Sequence, residues 1–350
     1  MKKLFMVLIL IMTMLANTLT VAAAERPTLT VDRAVQRAIG NSTQIIELAE
    51  GVILEEIRGR DIRQRFLMPS IDLLGIAIDQ MVHEIAMAFQ HSDRAMQVAS
   101  ITQSVQTGFL AIINAETELE FLDRRIDIDR QNFRFDQIRY EHGLMSVNDF
   151  NEARQSLQAL ERQREDLETQ INRVHRSLVN LVGGRRGTHY NVEIELEFVP
   201  LGNSRTLDDY IAVTLAQNAG LRREQRSLGV SEYRFEAQGS HSDDDRTRRE
   251  IELGQEQRRV QTTRDSLTES VISLYDDIRA LERRLTSLRT DYENLRTQLA
   301  INEAMLDMER MTRLAFDEFI LSMDRARNDI RIAEADHSIM VQRLRNPNLN

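Results

Sequence analysis

Cysteine and tryptophan are both absent from this 350-residue chain, and proline occurs only four times. Without cysteine there is no disulfide framework, no thiolate zinc site and no residue for a lipid anchor. Aromatic residues make up 5% of the chain and charged residues 29%, which is typical of long solvated helices rather than of a compact enzyme. The net charge of −10 also argues against nucleic acid as a partner.

The one long apolar run of the sequence lies at its beginning. Lys2 and Lys3 precede an apolar core at residues 4–21, and three alanines at 22–24 offer a small-residue cleavage site, which is the pattern of a secretory signal peptide. No later stretch approaches the roughly 18–20 apolar residues of a membrane-spanning helix. We therefore expect an exported protein of the cell envelope, either periplasmic or associated with the outer membrane. An uncleaved anchor at residues 1–24 is the alternative.

Two parts of the chain carry the same pattern, 176 residues apart. The segment VDRAV at 31–35 recurs as LDDYI at 207–211, and GLMSVN at 143–148 recurs as FILSMD at 319–324. An equal offset at both places is typical of an internal structural duplication. We therefore predict a signal peptide at 1–24, a first repeat at 25–200 and a second repeat at 201–350.

Apolar periodicity predicts that the first repeat is a long helical hairpin. Short helices cover about 31–39 and 43–66, and an unbroken helix runs from about 74 to 140 before a turn near Gly143. The returning helix has apolar residues in steps of three and four, with one polar position at Arg164, which is the a/d pattern of a left-handed coiled coil. These residues are Phe150, Ala153, Leu157, Leu160, Leu167, Ile171, Val174, Leu178 and Leu181.

The second repeat follows the same plan. Helices are predicted from about 207 and over 221–237, followed by an apolar seam from Val260 to Leu299, a turn near 319–322 and a last helix to about 344. Residues 190–199 alternate apolar and polar side chains, which predicts a half-buried strand. The predicted fold class is mainly α, with two tandem long coiled-coil hairpins and little β-structure.

At the openings and turns of its repeats, the sequence resembles the TolC-type outer-membrane efflux protein family. That family's repeat opens with a pattern like L-T-L-x-x-A-L-x-x-A-L-x-N-N-P, and residues 29–42 here read LTVDRAVQRAIGNS, which follows that pattern without the closing proline. Its hairpin turn reads roughly Y-x-x-G-x-x-S-x-x-D-h-x-x-A, where h is apolar. The segment YEHGLMSVNDFNEA at 140–153 matches that pattern in full.

The resemblance implies a homotrimer whose six hairpins form a hollow helical cylinder, or α-barrel. It also implies partners, namely a periplasmic adaptor protein that docks on the hairpin tips and an inner-membrane pump, and it implies no cofactor. The implied docking residues are Tyr140, Gly143, Leu144, Met145, Ser146 and Asp149 at the first tip, and Phe319, Ile320, Leu321, Ser322 and Asp324 at the second. Ser146 is expected to cap the returning helix, and Gly143 to allow the reversal.

Two features depart from the family pattern. Each family repeat has two membrane β-strands between its second helix and its long helix, but residues 71–78 are almost continuously apolar and residues 240–249 are strongly charged. Neither segment has the apolar-out alternation of a membrane strand, so the chain is expected to be a barrel-poor or barrel-less relative. The second turn also has Phe319 where the family has glycine.

The sequence shows no pattern of an enzyme or of a metal site. Its seven histidines are scattered, and no phosphate loop, nucleophile elbow or dinucleotide fingerprint is present. The leading hypothesis is a TolC-like channel component of an efflux or export system. The alternative is a non-conducting exported coiled-coil scaffold or regulator of the envelope. An adaptor subunit is disfavoured, because no lipoyl-like β domain is visible between the hairpin arms.

Overall fold

The computed structural model describes residues 26–67, 73–194, 196–202, 204–237 and 243–349. The predicted signal peptide lies outside the described residues. The helices are α1 (Val31–Asn41), α2 (Thr43–Phe66), α3 (Leu73–Glu141), α4 (Val147–Val182), α5 (Leu207–Gln217), α6 (Ala219–Ala237), α7 (Asp243–Asp307) and α8 (Arg313–Arg345), and the strands are β1 (Thr28–Thr30) and β2 (Asn191–Glu193).

The architecture is two long antiparallel helical hairpins. In the first, α3 packs along α4, and in the second, α7 packs along α8. Helix α3 has 69 residues, which at about 1.5 Å per residue is roughly 100 Å of helix. The shorter helices α1 and α2 pack on α3, and α5 and α6 pack on α7. The fold class expected from the sequence is therefore confirmed.

The coiled-coil seams lie where the apolar periodicity predicts them. Every seam position of α4 is buried or half-buried, while most of the intervening residues are exposed. In α7 the seam residues Leu267, Val271, Leu274, Ile278 and Leu285 are all buried. The hydrophobic effect along one narrow stripe thus holds each hairpin together.

The predicted strand at 190–199 is much shorter in the structure. Among the described residues of this range, Asn191–Glu193 form a strand, which pairs in parallel with β1 so that Leu29 stands opposite Val192. The partner strand has three residues because α1 begins at Val31, so no further pairing is available. The sequence did not predict β1. Thr30 is the N-cap residue of α1, but its side chain makes no capping hydrogen bond.

The second hairpin turn is not at 319–322, so that prediction is wrong. The chain reverses between Asp307 and Arg313, and residues 319–322 lie within α8, where Leu321 is only 4% exposed. The cause is a shorter second repeat: α6 has 19 residues against 24 in α2, and α7 has 65 against 69 in α3. The offset between repeats falls from 176 at the opening to 166 at the turn.

The two segments without membrane-strand patterning are described only in part. Residues 73–78 begin α3 and residues 243–249 begin α7. Residues 71–72 and 240–242 lie outside the described residues. Among the helices of the described chain, none has a stretch long and apolar enough to cross a membrane.

Candidate functional site

The first hairpin tip is a tight reversal at residues 142–146. Gly143 has a φ of 68°, in the left-handed region. Its amide donates to the Tyr140 carbonyl at 3.0 Å, and the Leu144 amide donates to the Arg139 carbonyl at 2.8 Å. The Ser146 hydroxyl then accepts from the Asp149 amide at 3.1 Å and caps α4. These bonds close one helix and open the next, as glycine and serine at such positions usually do.

The second tip, at residues 308–312, repeats this turn without glycine. Glu309 has a φ of 57°, and its amide donates to the Leu306 carbonyl at 3.0 Å. The Arg310 amide donates to the Met305 carbonyl at 2.8 Å, and the Thr312 hydroxyl accepts from the Ala315 amide at 3.2 Å. Sequence analysis missed this tip because glutamate occupies the glycine position. The Met-Thr pair at 311–312, which matches Met-Ser at 145–146, is the signal that would have found it.

Large apolar side chains are exposed at both tips. Leu144 is 78% exposed and Val147 57%, and Met308 at the second tip is 57% exposed. Phe135 and Ile138, within two turns of the first reversal, are also exposed. The exposed apolar side chains make the tips the candidate surface for a partner.

An aromatic stack supports the first tip. The Phe150 ring lies between Phe133 and Tyr140, with centroid distances of 5.3 and 4.6 Å and near-parallel planes. Tyr140, predicted to be a docking residue, therefore also joins α3 to α4.

The residues predicted for the second tip instead connect the two hairpins. Leu321 packs with Phe121 and Ile128 of α3 in a buried cluster. Asp324 accepts a hydrogen bond from Arg124 at 2.7 Å. Phe319, Ile320 and Ser322 lie on the same stretch of α8 and do not reach the reversal. The structure thus brings together the six residues predicted for the first tip, but not the five predicted for the second.

A buried His–Glu contact lies near the other end of the first hairpin. His175 is 1% exposed and its Nε2 lies 3.3 Å from Glu116 Oε1. Since a carboxylate only accepts, the proton is on Nε2. Arg26, just before β1, donates to the same carboxylate at 2.5 Å. These hydrogen bonds, led by that of His175, lower the pKa of Glu116 although burial opposes the shift.

The second hairpin contains an equivalent contact. His337 is fully buried, and its Nε2 lies 3.2 Å from Glu282 Oε1. Glu282 also accepts from the Leu201 amide at 2.7 Å and from Arg279 at 2.9 Å. Burial alone would raise the pKa of Glu282, but these hydrogen bonds together lower it. Glu116 therefore holds the segment at Arg26 against the first hairpin. In the same way, Glu282 holds the segment at Leu201 against the second hairpin.

Within the described residues, no group of three or more His, Asp and Glu side chains could hold a metal ion. The His175 and His189 rings stand 4.4 Å apart, and burial lowers the pKa of His189. These side chains stabilise the packing of the hairpin base.

Comparison with known proteins agrees with the duplicated hairpins. Residues 80–184 match the family model of outer membrane efflux proteins. The resemblance to the TolC-type family is thereby confirmed. The match covers α3 from its second turn, the first tip and α4, the part of the chain where the turn motif is complete. The family is one of efflux channels rather than enzymes, and its description agrees with the predicted location in the envelope.

Solved outer membrane channels share the fold across nearly the whole chain. The VceC protein of Vibrio cholerae is 11% identical, with 91% of this chain and 97% of that chain covered and a TM-score of 0.63. The CmeC channel of Campylobacter jejuni is 13% identical, with 89% and 84% covered and a TM-score of 0.56. The open-state MtrE channel of Neisseria gonorrhoeae is 13% identical, with 91% and 90% covered and a TM-score of 0.51. No curated protein matches the sequence.

Proposed function

We propose that this protein is the conduit subunit of an efflux or export assembly in the cell envelope. Three copies, each contributing two hairpins, form a hollow helical cylinder. The tips dock a periplasmic adaptor protein, which connects the cylinder to an inner-membrane pump. The observation that carries the proposal is the pair of equivalent tips, each a capped left-handed turn at the end of a long hairpin.

The mechanism is passive. The protein supplies a wall and a gate, and the pump supplies the energy. A hairpin held mainly by a narrow apolar seam can shift along or around its partner helix without unfolding, because the seam offers several similar packings. Adaptor binding at the tips would bias that shift and open the conduit.

The docking surface contains Tyr140, Gly143, Leu144, Met145, Ser146 and Asp149 at the first tip. At the second tip we assign residues 308–312, which replace the segment around Phe319 in this role. Leu144 and Met308 are the most exposed apolar residues of the two reversals. An apolar residue of this kind gains most of its binding energy by insertion into a pocket of the partner.

Substitutions at the first tip test the docking role. Leu144→Asp is expected to reduce transport at least tenfold, because a charge would replace the apolar contact. Gly143→Pro is expected to do the same, since proline cannot adopt a φ near +68° and has no amide for Tyr140. Helix content by circular dichroism should not change in either variant.

Val199→Asp is the matched control, since Val199 is 47% exposed but lies at the hairpin base rather than at a tip. Normal transport by both tip variants would contradict the docking role. Light scattering of residues 25–350 tests the cylinder itself. A monomer or a closed dimer, with or without the adaptor, would favour the non-conducting scaffold.

A further inference from the structure

Helix α6 is the middle of a layer of three helices. It packs against α3 on one side and against α7 on the other, whereas no contact of comparable extent joins α3 to α7 in the described chain. A cavity that is lined by residues of all three helices therefore lies on the concave face of the layer, where α3 and α7 approach each other across α6. In the proposed cylinder, the concave face is the one that lines the conduit.

Two adjoining cavities lie on this face. One has a volume of about 520 Å³ and reaches Phe235 near the end of α6. The other has a volume of about 410 Å³ and extends back along α6 to Arg223. Ser231, Arg234 and Glu256 line both cavities, so the two form one groove, here named the α6 groove. Its size suits a small organic ligand.

The groove is apolar where α3 meets α6. Val82, Ile85 and Ala86 of α3 line it together with Val230 of α6. Val230 is buried, but the three α3 residues are only half-buried, so part of their apolar surface still contacts water. An aliphatic side chain of a ligand would be stabilised here by burial.

One cation and one anion line the middle of the groove, namely Arg234 of α6 and Glu256 of α7. Within the described chain, neither forms an ion pair, with the other or with a third residue. The neighbouring pair is closed, since Arg223 donates to both carboxylate oxygens of Asp93 at 2.5 Å. A guanidinium binds a carboxylate, and a carboxylate binds an ammonium group. The two charges therefore fit a ligand that carries both groups.

Gln90 of α3 adds an unsatisfied hydrogen-bond acceptor. Its Oε1 atom is buried and accepts no hydrogen bond from the described chain, which costs free energy. Gln90 lines the same cavity as Val82 and Val230. A rotation of its side chain toward the cavity would let this oxygen accept from a ligand, and a peptide N–H is such a donor.

We propose that the α6 groove binds short apolar peptides in their zwitterionic form. The peptide carboxylate lies on Arg234 and the ammonium group on Glu256. A peptide N–H donates to Gln90, while an aliphatic side chain packs on Val82 and Val230. One copy of the chain holds the whole site. That the bound peptide is cargo of the conduit rests on the proposed cylinder, in which the groove faces the bore.

Three probes with the same apolar side chains separate the charge contacts. Calorimetric titration of the chain 25–350 with leucyl-leucine should give saturable binding. N-acetyl-leucyl-leucine lacks the ammonium group and leucyl-leucinamide lacks the carboxylate, so each should bind about threefold more weakly. Arg234→Gln should abolish the difference between the dipeptide and its amide, and Glu256→Gln the difference between the dipeptide and its acetyl form.

Arg222→Gln is the matched control, since Arg222 is an exposed arginine of α6 outside the residues that line the groove. It should leave all three affinities unchanged. Equal binding of the three probes, or no saturable binding of any of them, would overturn the site. Binding that is lost when the chain assembles would also overturn it, because a second copy would then cover the groove.

Light scattering of the same samples keeps the two proposals apart. A chain that binds the dipeptide but never assembles would overturn the cylinder and leave the peptide site in place. A chain that assembles without binding the dipeptide would overturn the peptide site alone.

Discussion

At the scale of single residues, the two tips differ in how easily they adopt the same turn. Gly143 and Glu309 both have positive φ values, 68° and 57°. A side chain in that region costs about 1 kcal/mol relative to glycine. Glu309→Gly should therefore stabilise the protein by about 0.5–1 kcal/mol, and Gly143→Ala should destabilise it by about 1 kcal/mol. No atom lies within 4 Å of a Cβ at Gly143, so conformation alone is tested.

Denaturant unfolding of the two variants measures both changes. Thr312→Ala is a useful comparison, because it removes the cap of α8 and leaves the φ of Glu309 unchanged. A destabilising effect of Glu309→Gly would show that the glutamate side chain contributes more than its backbone conformation costs.

The two half-buried glutamates, Glu116 and Glu282, predict how stability depends on pH. Hydrogen bonds lower the folded-state pKa of Glu116 and of Glu282 below their ordinary value of 4.5. A lowered folded-state pKa contributes stability that is fully present above pH 4.5 and is lost as the pH falls through the lowered value. Glu116→Gln should cost about 1 kcal/mol at pH 7, and this difference should shrink below pH 4.

Unfolding curves of the wild type and of Glu116→Gln at pH 7, 5 and 3.5 check this dependence. Glu118→Gln is the control, since Glu118 is on the same helix and about half exposed. A difference that is constant across the three pH values would mean that Glu116 stabilises the protein by packing and not by its charge.

At the scale of elements, α2 and α3 pack closely where Gly59 of α2 faces the ring of His83 of α3. His83 is 9% exposed, its Nδ1 lies 3.1 Å from Glu55 Oε2, and its ring fills the space beside Gly59. A Cβ at Gly59 would overlap the ring. Gly59→Ala should therefore destabilise the protein by about 1–3 kcal/mol, because the ring must move away from Glu55.

Gly229→Ala is the matched control within α6. No atom lies within 4 Å of a Cβ at Gly229, so alanine should stabilise the helix by up to about 1 kcal/mol. Thermal unfolding of both variants gives the comparison. If Gly59→Ala were also stabilising, the packing of the His83 ring would not require the absence of a side chain at residue 59.

The elements were predictable where one physical signal dominated. Steps of three and four between apolar residues predict the coiled-coil seams of α4 and α7, and Ser146 predicts the start of α4. The strand at 190–199 was overestimated, because alternation does not show how long the partner strand is. The turn at 319–322 was misplaced, because a constant offset assumes helices of equal length, and α7 is shorter than α3.

At the scale of the whole molecule, the sequence predicts the first tip but not the connection between hairpins. Gly143 and Ser146 lie in a local motif that can be read residue by residue. Leu321 of α8 and Phe121 of α3 come into contact only in the folded chain, and no local sequence pattern predicts that contact. The same holds for Glu282, whose partners come from three separate segments of the chain.

The tip ends of the cylinder should separate between copies rather than within a copy. Inside one chain, Phe121, Ile128 and Leu321 join α3 to α8 in a buried apolar cluster. In the proposed cylinder, α7 of one copy would meet α4 of the next. The positions there that lie 166 residues away in the repeat are polar and exposed, namely Ser287, Asn294 and Gln155. An apolar cluster of that size is worth several kcal/mol more than polar side chains that remain hydrated. In the proposed cylinder, opening at the tips would therefore need less energy where two copies meet.

A variant with Gln155→Leu and Asn294→Ile tests this difference. The two apolar side chains should make the assembled trimer dissociate at a higher denaturant concentration, because they would be buried where the copies meet. They should also reduce transport, because that contact has to separate when the conduit opens. Leu321→Gln, made inside the chain, should have the opposite effect on stability. The decisive comparison is single-channel conductance of the two variants in the presence of the adaptor. If the double variant opens as readily as the wild type, the gate lies elsewhere along the hairpins, and the seam between α4 and α7 of neighbouring copies has only a structural role.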